Sequence, residues 1–248
     1  MKKFAFALLL LIAPSFVWAQ ATNEQADTET ALKRQVATLA NYGSLVFDWG
    51  LNFFQDVPKE MKLSTWSSRT LNGYFYYNIP IKDSYFMVSP GIGLGSADYK
   101  FQDQYTLART PSSRRTMLKL AKDVIPGSPE ITSSSLTVNY AELVAELRFN
   151  ANRQEPQAGF LIAVGYRLGM RWGAATTIQY KEDNQKKTRT TVESFNLNRL
   201  RHGLIGRIGW GRFGIFYSHT FSDFFNEGQG PTKATMMPVS AGISINLL

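Results

Sequence analysis

The chain has 248 residues, no cysteine, 44% hydrophobic and 13% aromatic residues, 19 glycines and a formal charge of +8. That composition excludes global disorder, a disulfide framework, a thiol nucleophile and any cysteine-ligated zinc or iron–sulfur centre. With only two histidines, His202 and His219, a three-histidine metal site within one chain is excluded too, and neither a cofactor nor a metal is expected.

The N-terminus opens with Lys2 and Lys3, an apolar run over residues 4 to 13, and the small-residue pattern Val17-Trp18-Ala19. This is the pattern of a secretory signal peptide over residues 1–19, cleaved after Ala19. The apolar run is about half the ~20 residues that span a bilayer as a helix. Residues 20–42 follow with Glu24, Asp27 and Glu29 ahead of Leu32, Val36, Leu39 and Ala40, a periplasmic leader or a short helix.

Residues 43–248 alternate with period two, the pattern of strands with two unlike faces. The clearest case is 159–172. Phe160, Ile162, Val164, Tyr166, Leu168, Met170 and Trp172 share one face, while Gly159, Gly165, Gly169, Arg167 and Arg171 lie on the other. A large apolar face opposite a glycine-rich, cationic one fits the outside and inside of a tight barrel better than a soluble sandwich. Segments 43–53, 71–79, 86–94, 143–149, 202–210, 213–221 and 237–247 read the same way. The expectation is all-β: an eight-stranded antiparallel up-and-down transmembrane β-barrel, exported to the outer membrane of a Gram-negative cell.

The connections alternate in length. Short turns near Lys82-Asp83, at 152–156 and at Gly211-Arg212 face the periplasm with both termini, and longer segments at 54–65, 102–134, 176–194 and 222–235 face outward. Trp66 and Trp172 are expected near the outer rim and Trp210 near the inner one. The 102–134 segment carries Arg109, Arg114, Arg115, Lys119 and Lys122, with Met117, Leu118, Leu120 and Ala121 between Pro111 and Pro126. It reads either as a short basic amphipathic helix or as a solvated basic loop, for contact with anionic lipopolysaccharide or a partner. Nucleic acid is not an expected partner of an exported chain.

The C-terminal half adds a resemblance. Phe195-Asn196-Leu197-Asn198, Gly203-Leu204, Arg207-Ile208-Gly209-Trp210-Gly211, Phe213-Gly214-Ile215-Phe216 and Phe224 to Gly230, with Gly165-Tyr166-Arg167 and Gly91-Ile92-Gly93-Leu94-Gly95, resemble small PorT-like outer-membrane barrels of Bacteroidota over about residues 44–248. Those motifs are barrel-building glycines and aromatics, so the resemblance speaks to architecture and supplies no catalytic residue. It implies outer-membrane lipid and lipopolysaccharide as surroundings and an envelope partner such as a protein secretion apparatus. The chain ends without a terminal aromatic residue.

The inward face collects Asp48, Glu142, Glu146, Arg148, Arg167, Arg171, Arg201 and Arg207 as lumen ion-pair candidates. A turn near Arg153 would set Glu142 beside Gly165 and diagonal to Arg167, within reach of a cross-strand ion pair. Such a lumen is either a satisfied polar core or a gated polar path; an interior that eight strands just fill favours the core. Three functions follow: a non-enzymatic structural, docking or secretion-accessory barrel, a lipid-modifying enzyme of the lipid A deacylase type, or a narrow gated channel. The enzyme would need a serine–histidine pair at the rim. Alternation sends Ser218 and His219 to opposite faces, so no catalytic residue is assigned.

Overall fold

The computed structural model describes residues 43–55, 61–109, 115–127, 129–152, 159–231 and 236–247. The expected signal peptide, the 20–42 leader and the turn around Arg153 lie outside those residues. The strands are, in chain order, β1 (Gly43–Gln55), β2 (Arg69–Tyr77), β3 (Ile79–Pro80), β4 (Phe86–Lys100), β5 (Tyr105–Arg109), β6 (Thr116–Leu120), β7 (Glu130–Asn150), β8 (Phe160–Glu182), β9 (Gln185–Val192), β10 (Leu200–Trp210), β11 (Phe213–Thr220) and β12 (Met237–Asn246). Eight of them pair antiparallel around a ring, β1-β2-β4-β7-β8-β10-β11-β12, and β12 returns to β1 with Phe47 opposite Ile245. Closure leaves the ring without an edge, so every ladder hydrogen bond within it has a partner.

All eight expected segments are strands of this ring. Their alternation sorts the side chains because a one-residue shift would turn the apolar set inward; where the β7–β8 register shifts, between Asn139 and Tyr140, the buried positions of β8 pass from odd to even numbers. On β1, Ser44, Val46, Asp48 and Asn52 are buried, whereas Phe47 and Trp49 are exposed. Outward-facing large apolar residues form a continuous band through Ile92, Leu94, Leu143, Leu147, Val164, Leu168, Leu204, Ile208 and Ile215. Trp66 and Trp172 stand exposed toward one end of the molecule, and Trp210 and Phe213 at the other. Soluble monomers rarely expose a contiguous apolar patch of more than a few hundred Å², so this band is matched to hydrocarbon rather than to water.

One end of the ring carries the tight turns and is here the turn end. Asp83 and Gly211 take left-handed backbone there, with φ of 56° and 61°, and β3 extends the line of β2 against β4 at Ile79↔Val88. The opposite, hairpin end departs from the sequence expectation. The 102–134 and 176–194 segments are not simple loops: β7 and β8 are 21 and 23 residues long and stay paired to Glu130↔Lys181. β9 then folds back on β8 through Asp183 and Asn184, both left-handed. Neither reading of the basic segment, a short helix between Pro111 and Pro126 or a solvated loop, describes the β5–β6 hairpin found there, with Leu107 opposite Leu118. Among the described residues of this segment only Ala121–Val124 is helical. The physical reason is local period: Thr116 is buried, Met117 exposed and Leu118 half-buried, a strand alternation that tolerates no 3.6-residue stripe.

At the hairpin end the connections fold inward over the ring. Met61, Phe101, Leu107, Phe195, Leu197, Phe224, Phe225 and Met236 join Tyr99, Leu136, Val138 and Tyr140 in one buried apolar cluster. Phe224 is its centre, 5.0 Å from the Phe54 ring, 5.1 Å from Tyr99 and 5.2 Å from Phe225. Backbone bonds tie the cap together, from Thr116 N–H to Gln229 O at 3.0 Å and from Asn198 N–H to Phe224 O at 2.9 Å.

Candidate functional site

Inside the ring the inward positions build two charged layers. The layer nearer the turn end is made by Asp48 on β1, Glu146 and Arg148 on β7, and Arg207 on β10, all buried. Arg207 donates from Nη1 and Nη2 to the Asp48 carboxylate, the Nη2 bond being 2.9 Å, and from Nε to Glu146 Oε1 at 2.9 Å. Arg148 Nε donates to Glu146 Oε2 at 2.8 Å, and its Nη1 to Ser44 Oγ at 3.0 Å and Asn78 Oδ1 at 3.1 Å. Tyr76 covers the cluster, its hydroxyl donating to Glu146 Oε1 at 2.5 Å and its ring lying 4.0 Å from the Arg148 guanidinium carbon. Two carboxylates and two guanidinium groups cancel, which is what burial demands, since an uncompensated charge costs several kcal/mol.

The second layer is built around Glu142. Arg201 donates to Glu142 Oε1 from Nε at 2.9 Å and from Nη2 at 2.6 Å. Tyr74 donates to Oε2 at 2.6 Å, and the Tyr140 ring lies 3.5 Å beneath the Arg201 guanidinium carbon. The expected Glu142 to Arg167 pair is corrected here. The β7–β8 register is offset by four residues from the sequence expectation, so that Gly169 faces Glu142 and Gly165 faces Glu146. Arg167 instead lies opposite Val144 and donates to Thr220 Oγ1 at 3.2 Å. Arg171 is no ion-pair partner either, its Nη2 reaching Leu197 O at 3.3 Å.

The glycines opposite the glutamates make the layers possible. A Cβ at Gly165 would come within 2.5 Å of Glu146 Cγ, and one at Gly169 within 2.8 Å of Arg201 Cγ. On the other flank, Gly93 of β4 faces Glu142 and Ser89 faces Glu146. The lumen is therefore filled by long polar side chains lying across positions that have none. Six of the eight sequence candidates, Asp48, Glu142, Glu146, Arg148, Arg201 and Arg207, are brought into ion pairs. The hydroxyl and amide partners Ser44, Asn78, Thr220 and Ser244 are not among those candidates, although alternation turns such positions inward.

On the outer face, Ser218 is buried in the lumen while His219 faces outward. Both histidines are held by tyrosines: Tyr166 OH lies 2.7 Å from His202 Nδ1 and Tyr217 OH 3.4 Å from His219 Nδ1. No serine hydroxyl is hydrogen-bonded to either ring among the described contacts. Beyond the band, at the hairpin end, the Glu182 carboxylate holds the Lys187 ammonium above its usual range through a 2.6 Å hydrogen bond.

No family model matches the chain, and no curated protein matches it. Among solved structures it is similar to Ail, the attachment invasion locus protein of Yersinia pestis, in complex with the heparin analogue sucrose octasulfate. That similarity has 11% identity and a TM-score of 0.32 over 83% of this chain and 97% of Ail. It is also similar to the N-terminal β-barrel domain of Pseudomonas aeruginosa OprF, with 9% identity and a TM-score of 0.27 over 83% of this chain and 98% of that domain.

Proposed function

We propose that this chain is an outer-membrane β-barrel with a non-enzymatic structural, docking or secretion-accessory role, exported through a cleaved signal peptide. One observation carries the reading: a closed ring with an apolar outer band has a lumen filled by ion-paired and hydrogen-bonded side chains and a folded cap over one end. Such a ring is anchored by its outside and occluded inside, which leaves the elaborated hairpin end as the place for contact with other molecules. The basic side chains of that end, Arg109, Lys119, Lys122 and Lys187, suit lipopolysaccharide or an acidic partner surface. The PorT-like motifs in the sequence support an envelope partner such as a secretion apparatus.

The narrow channel is disfavoured by the two charged layers, and the lipid-modifying enzyme by the opposite facing of Ser218 and His219. The test begins with topology. Asn184→Cys, at the β8–β9 turn, is expected to react with an impermeant reagent on intact cells, and Asn152→Cys, at the turn end, to stay unlabelled. The reverse pattern would overturn the orientation. Affinity purification from native membranes should then return a stoichiometric envelope partner, whereas altered lipid A on deletion of the gene would move the assignment to the enzyme.

A further inference from the structure

Five aromatic rings form an arc on the outer face of β8, β10 and β11, toward the hairpin end. Tyr166, His202, Phe221, His219 and Tyr217 follow one another along it, with ring centroids 6.1 Å apart for Tyr166–His202, 6.2 Å for His202–Phe221 and 5.3 Å for Phe221–His219. The register brings them together. Phe221 N–H donates to His202 O at 2.8 Å just past the end of β11, and His219 faces Leu204. The two histidines are therefore diagonal neighbours across β10 and β11, about 7 Å apart and within mutual reach of one ligand. Each is bonded by a tyrosine nearer the turn end: Tyr166, level with Leu204, and Tyr217, two residues before His219 on its own strand. Both hydroxyls meet Nδ1, at 2.7 Å on His202 and 3.4 Å on His219. Nε2 of each ring, turned away from its tyrosine, has no protein partner among the described contacts.

The tyrosines fix what Nε2 offers. A phenol among apolar side chains must give its proton to something, and Nδ1 is the acceptor each one meets. An imidazole that accepts at Nδ1 carries its proton on Nε2. Two N–H donors thus stand side by side, and Ser222 Oγ, which accepts the His202 N–H at 3.3 Å, keeps its own proton to give. The ground between them is apolar: exposed Leu168 faces His202, and exposed Leu204 faces His219. A ligand that fits joins acceptor oxygens, enough of them for donors on two strands, to hydrocarbon. We infer that His202 and His219 bind the phosphate of an outer-leaflet lipid headgroup of the lipid A class, its acyl chains lying along Leu168, Leu204 and Ile208. A free anion matches only the polar half of this surface. Trp172, exposed on β8 beyond Leu168 toward the hairpin end, is the kind of residue that marks the depth where headgroups begin. The leaflet rests on the outward orientation of the hairpin end proposed above.

The test uses the full-length barrel folded in maltoside micelles, which contain no phosphate. It is titrated with lipid A, with the same lipid after removal of its phosphates, and with inorganic phosphate. Lipid A is expected to shift the Nε2 resonances of both histidines and to bind at least tenfold more tightly than the dephosphorylated lipid, and inorganic phosphate at equal concentration not to displace it. His202→Phe with His219→Phe is expected to erase that preference while the barrel keeps its heat-modifiable gel mobility, and Lys187→Ala on the β8–β9 ribbon to retain it. Should the double variant fail to fold, Tyr166→Phe serves, because it keeps the ring and both histidines and removes only the hydroxyl that sets the His202 tautomer; a several-fold weaker preference is expected. Equal affinity for the two lipids, an unchanged preference in the variants, or displacement by inorganic phosphate at equal concentration would overturn the assignment. The titration does not depend on which way the barrel faces in the cell. Labelling of Asn152→Cys in place of Asn184→Cys would overturn the outer leaflet and leave the phosphate preference standing, so the two failures are told apart.

Discussion

The two interiors of this molecule are built on opposite chemistry. Within the apolar band the core is a lattice of arginine, glutamate, aspartate and tyrosine, with Arg207 alone bonded to Asp48, Glu146, Tyr76 and Ser244. Above it the core is Phe54, Tyr99, Phe195, Leu197, Phe224 and Met236. The difference follows from what lies outside each. Where the outer face is apolar, the ring is held by its ladder, and the lumen needs only to be filled and its polar groups bonded. Beyond the band the connections have water outside them, and there burial of apolar surface is what holds a fold together.

If that contrast is right, damage should propagate differently from the two cores. Glu146 is the residue on which the lower layer turns, since it takes both Arg148 and Arg207. Glu146→Leu is expected to cost about 5 kcal/mol, the upper end for an orphaned buried pair, and to appear as loss of the heat-modifiable gel mobility of the folded barrel. Glu142→Gln should cost about 3 kcal/mol by the same logic, and Glu142→Gln with Arg201→Met should recover most of it, because the stranded cation is gone. Recovery with Arg167→Met in place of Arg201→Met would contradict the observed pairing. Phe224→Ala should remove about 3 kcal/mol from the cap, yet leave barrel mobility intact. Limited proteolysis would register it as new cleavage at the hairpin end. Collapse of the whole barrel on Phe224→Ala would mean the two cores are one cooperative unit.

How far the sequence led differs between the same two regions. The ring was legible because alternation is a global constraint: a strand between hydrocarbon and lumen must keep its faces over its whole length, as 159–172 does. The lumen residues were legible for the same reason. Their partners were not: setting Glu142 against Arg167 presupposes one loop length, and register depends on a loop length that leaves no trace in the strand pattern. The cap was hidden in apparent loops, because its apolar residues sit singly among polar ones and meet only through tertiary packing. One local signal was available: Asp183-Asn184 between strand-forming runs is a two-residue hairpin turn, and it marks the β8–β9 ribbon within what reads as a polar loop.

The glycine opposite Glu146 gives a smaller lever on the lumen. Gly165→Val places a branched carbon where Glu146 Cγ already sits, and displacing that side chain loosens its bonds to Arg148, Arg207 and Tyr76. Overpacking of this kind costs about 2 kcal/mol, read as a lower urea midpoint of the folded barrel. Gly206→Ala on the outer face of the ring, where the nearest atom to a new Cβ is 3.9 Å away, should change nothing and serves as its control.

The smallest effect is expected from a pair whose geometry matches the strongest. Lys187 Nζ lies 2.6 Å from Glu182 Oε2, and Arg201 Nη2 lies 2.6 Å from Glu142 Oε1. Length is the same; surroundings are not. The Arg201 pair is buried among aromatic rings, whereas both members of the Lys187 pair stand in water on the β8–β9 ribbon, where screening and side-chain entropy cancel most of the attraction. Glu182 raises the Lys187 ammonium above its usual range, so whatever the pair contributes is complete at neutral pH and fades only as pH climbs through that raised value. Lys187→Ala should therefore leave the urea midpoint unchanged at neutral pH, in low salt and in high. A salt-sensitive drop would place the ribbon against a charged neighbour rather than in solvent, and would make the hairpin end, not the lumen, the more electrostatically exacting of the two regions.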